Sequence, residues 1–179
     1  VRVQALQTRL LDNNDDAFSA SWNWVDALLR LQHGANSALY RMLRQALLAR
    51  RALVLLDGLD EAGTERDAIE RHVAEVLAPQ GHVLLCTSRP AGLDVDGRFG
   101  AFRHLSLAPL SDAQQHDFLK KRLGVARAET LQPYLQNNVP VDSDTRARAT
   151  ANPLMLSMVA SIAELRAGIE MPTTIAELY

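Results

Sequence analysis

Cysteine is almost missing from this chain. Cys86 is the only one in 179 residues, so no internal disulfide can form and a reducing compartment is expected. An excess of charge is missing too. Nineteen basic and 21 acidic residues leave a formal net charge of -2, which gives no general attraction to nucleic acid or to an anionic membrane. No apolar run approaches the length of a membrane span, and no signal peptide opens the chain. The five histidines, at positions 33, 72, 82, 104 and 116, show no H-x-x-x-H spacing and have no cysteine pair to join, so no zinc site is expected. There are no internal repeats and no low-complexity tract. What is present is 47% hydrophobic and 22% charged residues, the balance of a globular protein with a substantial core. The chain opens on Val1 in place of Met and closes on "TTIAELY", which reads as the start of a helix. A piece of a longer protein is therefore expected.

Periodicity divides the chain in two. "VRVQAL", Val1 to Leu6, alternates apolar and polar residues and predicts a strand. A polar loop with "DNNDDAFS" follows. Helical spacing covers 20–33 and 37–50, the second through Leu39, Met42, Leu43, Ala46 and Leu47. Ala52–Asp57 is an apolar run entered from a basic pair, which predicts a strand buried on both faces. A helix is expected from about Thr64 to Leu77, ended by Pro79. "HVLLCTSRP", from His82, predicts a second buried strand cut off by Pro90. A glycine-rich loop with "DVDGRFG" and a short strand "RHLSLAPL" complete this part. Helix and strand in alternation predict a parallel, doubly covered sheet. After Ser111 every segment reads as helix or loop, with turn signals at "NNVPVDSD", "NP" and "MPTT". The expected organisation is an α/β part over 1–110 and an all-helical part over 111–179.

The chemistry gathers at strand ends, where open α/β sheets place their ligands. "LLDGLDEAG" runs a buried strand into Asp57, Asp60 and Glu61, with Gly58 permitting a sharp turn. Carboxylates this close repel one another unless a cation or a basic partner is near. The second strand ends in Thr87, Ser88 and Arg89. A hard cation such as Mg²⁺ suits one or two carboxylates together with phosphates and waters. An arginine facing the same place suits a phosphate. Carboxylate, metal and arginine together describe phosphoryl transfer. Taken singly, each motif also has a plain structural reading: an acid after a strand often caps the next helix, and Ser-Arg-Pro is an ordinary loop.

The pieces also resemble a known family in its order. "ALVLLDGLDEAG" is similar to the Walker B region of NACHT domains, with their DGxDE pattern. "VLLCTSRP" resembles their sensor 1 strand, and "LSLAPLSDAQQHDFL" their passage into the first helical subdomain. "ANPLMLSMVASIAELRAGIEMPTTIAELY" resembles the segment that carries a Pro-Leu near the base and closes on "ELY". The resemblance covers most of the chain from about Ala38 onward, with Val1–Gln7 as the strand after the P-loop helix. It implies a partial parallel-sheet P-loop NTPase core and a small helical subdomain. It also implies a signalling switch that takes ATP or GTP with Mg²⁺, hydrolyses it slowly, changes shape and self-oligomerises in the cytoplasm alongside other domains in cis. In that reading Asp57 holds Mg²⁺, and Asp60 and Glu61 supply the acid that positions the attacking water. Arg89 reaches the terminal phosphate and Pro153 packs against the base, although a proline there equally suits a first helical turn.

One departure is large. There is no Gly-Lys pair, hence no P-loop, G-x-x-x-x-G-K-[ST], to cradle phosphates. The family's order puts that loop before Val1, and its winged-helix part beyond Tyr179. These 179 residues alone are expected to bind nucleotide poorly and to be inactive. The main alternative is a NACHT-like scaffold that does not hydrolyse nucleotide and works through protein–protein contacts. Other readings are weaker. A phosphatase of the haloacid dehalogenase type needs D-x-D, and this chain has D-x-x-D. Cys86 lies within an apolar strand, where cysteine is inert packing. Arg41, Arg44, Arg50 and Arg51 read as a solvated helix face. Trp22 and Trp24, two apart, cannot share a helix face, so one is expected in the core and the other more exposed, or both in a loop.

Overall fold

The computed structural model describes residues 1–12, 16–91, 93–94, 96–141 and 146–165; the backbone alone is described at 16 and 17. The "MPTT" and "ELY" segments lie outside the described residues. The chain divides into two compact units, with the break between His104 and Leu105. Among the described residues no helix is long and apolar enough to cross a membrane.

The first unit is mostly helical, around a small sheet. Its helices are α1 (Val3–Leu10), α2 (Asp16–Ser19), α3 (Trp24–His33), α4 (Ala38–Leu48) and α5 (Arg66–His72), and its strands are β1 (Leu53–Leu56) and β2 (Val83–Cys86). The strands pair in parallel, Leu53 opposite Val83 through Leu56 opposite Cys86. On the other side of β1, Arg2 forms a single parallel bridge to Asp57. There the Asp57 N–H donates to Val1 O at 3.0 Å and the Val3 N–H to Asp57 O at 2.9 Å. β1 thus runs in the middle.

The stretch "DNNDDAFS", read as a loop, holds α2 at Asp16–Ser19, and three expectations about strands and sheet need correction as well. Val1–Leu6 is not a strand: pairing stops at Arg2 and α1 begins at Val3. Val3, Leu6 and Leu10 recur at helical spacing and turn to the core, a period that competes with the alternation in so short a segment. "RHLSLAPL" forms no strand, and Leu105 and Leu107 are exposed. The sheet is not covered on both faces either. Val54 and Leu56 are 6% and 1% exposed, whereas Leu53, Leu55, Val83 and Leu85 are 60%, 47%, 67% and 52% exposed.

Local signals account for several helix ends. Asn23 caps α3 by accepting the Asp26 N–H at 3.0 Å, and Ser37 caps α4 by accepting the Tyr40 N–H at 3.0 Å. Gly34, at φ 81°, ends α3 in a conformation that favours glycine. Of the four arginines read as a solvated face, Arg41, Arg50 and Arg51 are exposed. Arg44 instead reaches buried Asp26 at 3.1 Å and ties α4 to α3. Trp22 is exposed, while half-buried Trp24 stacks on the His72 ring with centroids 4.1 Å apart. His72 Nε2 accepts the Trp24 N–H at 3.1 Å, and burial pushes its pKa down to about 4. Cys86 is half-buried and its thiol is pushed up to about 11 by burial, which leaves it inert at neutral pH.

The second unit is helical: α6 (Asp112–Leu123), α7 (Val125–Asn137), a 3₁₀ turn at Ala149–Ala151 and α8 (Pro153–Leu165). A reciprocal capping box starts α6, with Ser111 Oγ accepting the Gln114 N–H and Gln114 Oε1 accepting the Ser111 N–H. Leu119, Ala128, Leu156, Val159 and Ala160 form its core. Arg122 on α6 spans to α8, donating to Ser157 Oγ at 2.7 Å, Ser161 Oγ at 2.8 Å and Glu164 at 3.1 Å.

Candidate functional site

β1 delivers Asp57 to the carboxyl end of the middle of the sheet, and β2 delivers Thr87 beside it. The Thr87 N–H donates to Leu56 O at 2.9 Å, and Thr87 O accepts the Leu59 N–H at 2.9 Å. The chain then turns at Gly58, whose φ of 81° and ψ of 58° are left-handed, into a 3₁₀ turn over Leu59–Glu65. A β-carbon on Gly58 would stand 3.1 Å from both Cδ and Oε2 of Glu61, so the Glu61 side chain folds back over this turn. The left-handed backbone therefore favours glycine here, while the exposed Glu61 side chain could swing aside.

Two side-chain links cross the strand ends. The Thr87 hydroxyl donates to Asp57 Oδ1 at 2.6 Å and accepts the Gly58 N–H at 2.9 Å. It holds one carboxylate oxygen of Asp57 in a fixed direction, and the exposed carboxylate keeps its second oxygen for another partner. In the second link, Asp60 Oδ1 accepts the Arg89 N–H at 3.1 Å, and Asp60 Oδ2 lies 3.4 Å from Arg89 Nε. The Arg89 backbone N–H holds the Asp60 carboxyl below the ordinary carboxylate range, helped by the guanidinium charges of Arg89 and Arg66. Asp60 is therefore ionised at neutral pH. The Arg89 side chain is 82% exposed, so its ion pair is a weak, screened one.

Asp57, Asp60, Glu61 and Arg89 are thus gathered at the carboxyl ends of two neighbouring strands. Pro153 belongs to the other unit. There it takes the first position of α8, where the missing N–H is no loss, while Asn152 Oδ1 accepts the Leu154 N–H at 2.8 Å. The clamp role of Thr87 was not assigned from sequence. The only signal was a polar residue directly beyond an apolar strand; its partner is thirty residues away and becomes visible only through the parallel pairing.

Among the described residues, no group of three or more His, Cys, Asp or Glu side chains is gathered to hold a metal ion. The donor set at the strand end is one oriented carboxylate with hard oxygens. That fits a Mg²⁺ ion that keeps its waters and takes its remaining ligands from phosphate, and it does not fit a protein-built Ca²⁺ or Zn²⁺ cage. No family model, curated protein or solved structure matches the chain.

Proposed function

We propose that the first unit is the Mg²⁺- and phosphate-facing part of a nucleotide-gated signalling switch of the NACHT type, taking ATP or GTP. The observation that carries the reading is the strand-end arrangement: Asp57 oriented by Thr87, next to an Arg89 that is held loosely by Asp60. Asp57 would hold Mg²⁺ through its free oxygen, and the ion would neutralise phosphate charge. Arg89 would exchange its exposed bond with Asp60 for the terminal phosphate, a charge-assisted contact of about 1.5–3 kcal/mol. Asp60 Oδ1 would stay bound to the Arg89 backbone N–H after that exchange, so Glu61 would be the carboxylate better free to orient a water. Pro153 against the base, and self-association driven by the triphosphate, belong to the same reading. With no P-loop in these residues, binding should be weak and turnover negligible.

The scaffold reading draws on a different observation, the exposed Leu53, Leu55, Val83 and Leu85 on one sheet face, which suits contact with protein. Substitution of Arg89 separates the two. In a nucleotide switch, R89A weakens triphosphate binding about tenfold or more and leaves diphosphate binding nearly unchanged. Equal losses for both nucleotides would remove the terminal-phosphate role.

A further inference from the structure

A cleft of about 420 Å³ opens in the first unit between α2, α3 and α4. That volume falls within the roughly 300–1,000 Å³ of small-molecule sites. Asp26, Ala27, Arg30 and Leu31 fall at helical spacing on one face of α3 and line one side of it. Phe18 on α2 and Trp22, just before α3, add aromatic walls, and Arg44 comes from α4.

The polar groups on the wall differ in what they have left to offer. Asn23 is closed: its Oδ1 accepts the Asp26 N–H at 3.0 Å and its Nδ2 donates to Gln80 Oε1 at 2.9 Å. Asp26 is 7% exposed, and its Oδ2 accepts from Arg44 Nη1 at 3.1 Å. The same Nη1 donates to the hydroxyl of buried Tyr40 at 2.8 Å. These two anchors on one nitrogen hold the guanidinium in place. Its Nε and Nη2 have no partner among the described residues and are open to solvent. Together they form an edge that takes a carboxylate bidentately.

Charge and shape narrow the ligand further. Arg30 is exposed and pairs with no acid among the described residues, so two guanidiniums face the one carboxylate of Asp26. A monoanion balances that excess. A doubly charged phosphate would meet repulsion from Asp26. Trp22 is 57% exposed, although tryptophan is highly buried on average. Its indole offers a flat apolar face on which a ring can stack.

We propose that this cleft binds a small organic acid, a carboxylate carried on a flat ring. The carboxylate takes the Nε and Nη2 edge of Arg44, Arg30 adds attraction, and the ring lies on Trp22. The cleft shares no residue with the strand-end group of Asp57 and Arg89, so the assignment is independent of the nucleotide reading.

The test is an amide and indole NMR titration of the whole chain with phenylacetate, with neutral phenylacetamide and inorganic phosphate as comparisons. Phenylacetate should give saturable shifts at the Trp22 indole N–H, through residues 21–31 and at Arg44. Phenylacetamide should bind about tenfold more weakly or worse, because it cannot make the charge-assisted contact. R44K keeps a cation beside Asp26 but loses the two-pronged edge, and should also weaken phenylacetate about tenfold. W22A changes an exposed side chain, should keep the fold, and should weaken phenylacetate severalfold. Equal binding of acid and amide would overturn the assignment, and this comparison needs no variant. Unchanged binding in either variant, tighter binding of phosphate than of phenylacetate, or no shifts at tens of millimolar phenylacetate would overturn it as well.

Discussion

The two faces of one short sheet carry the same kind of side chain and meet opposite environments. Val54 and Leu56 lie in a cluster with Val3, Leu6, Leu59 and Ile69, whereas Leu53, Leu55, Val83 and Leu85 face outward. An apolar run therefore shows that a segment is strand-forming, but not which of its faces is covered. Coverage depends on what packs there. α1 and the Leu59–Glu65 turn continue directly from the ends of the paired segments and supply residues to the covered face.

The strongest way to break this comparison is to truncate one leucine on each face. L56A should cost about 2–5 kcal/mol of unfolding free energy, because it leaves a cavity in a packed core. L55A, at the neighbouring position, should cost well under ~1 kcal/mol. Denaturant unfolding of both variants checks the difference, and similar losses would mean that the outer face is covered as well.

The covered side also holds a titratable ring. His72 accepts the Trp24 N–H and so must be neutral, and its pKa lies at about 4 against an ordinary 6.5. As pH falls, the unfolded chain takes up this proton first. The stability involved is complete above about pH 6.5 and is lost progressively toward about pH 4, by up to ~3 kcal/mol. An NMR titration of the His72 ring should give a midpoint near 4. A midpoint in the ordinary imidazole range would mean that the ring is solvated and the stacking on Trp24 is loose.

A smaller effect is expected at the hinge between the strand end and α5. Gly63 sits at φ 52° and ψ -130°, and a β-carbon there would lie 2.1 Å from Gln7 Nε2. The Gln7 side chain can swing away, so the backbone conformation sets the cost of G63A, about 1–3 kcal/mol. Thermal unfolding measures it. No change would show that the turn relaxes freely and does not hold Asp60 and Glu61 in place.

Much of the architecture was legible where local chemistry decides it. Helical spacing marks α4, the cap residue Ser111 marks α6, and two apolar runs mark β1 and β2. The acids and Arg89 fall at strand ends because those runs stop there. Legibility failed where distant residues decide the outcome. In Val1–Leu6 both periods were present, and packing of Val3 and Leu6 chose the helix. "RHLSLAPL" carries strand-like alternation but forms no strand. The Thr87–Asp57 and Arg89–Asp60 bonds join residues about thirty apart, and no local pattern encodes them.

The central claim is that the strand end carrying Asp57 and Arg89 faces a Mg²⁺-bound triphosphate, while the exposed sheet face does not. The most direct measurement is an amide NMR titration of the chain with ATP, with and without Mg²⁺, alongside D57N. The account predicts weak, Mg²⁺-dependent shifts confined to Asp57–Glu61 and Thr87–Arg89 and lost in D57N. No shifts there at millimolar nucleotide, or shifts unchanged in D57N, would contradict it.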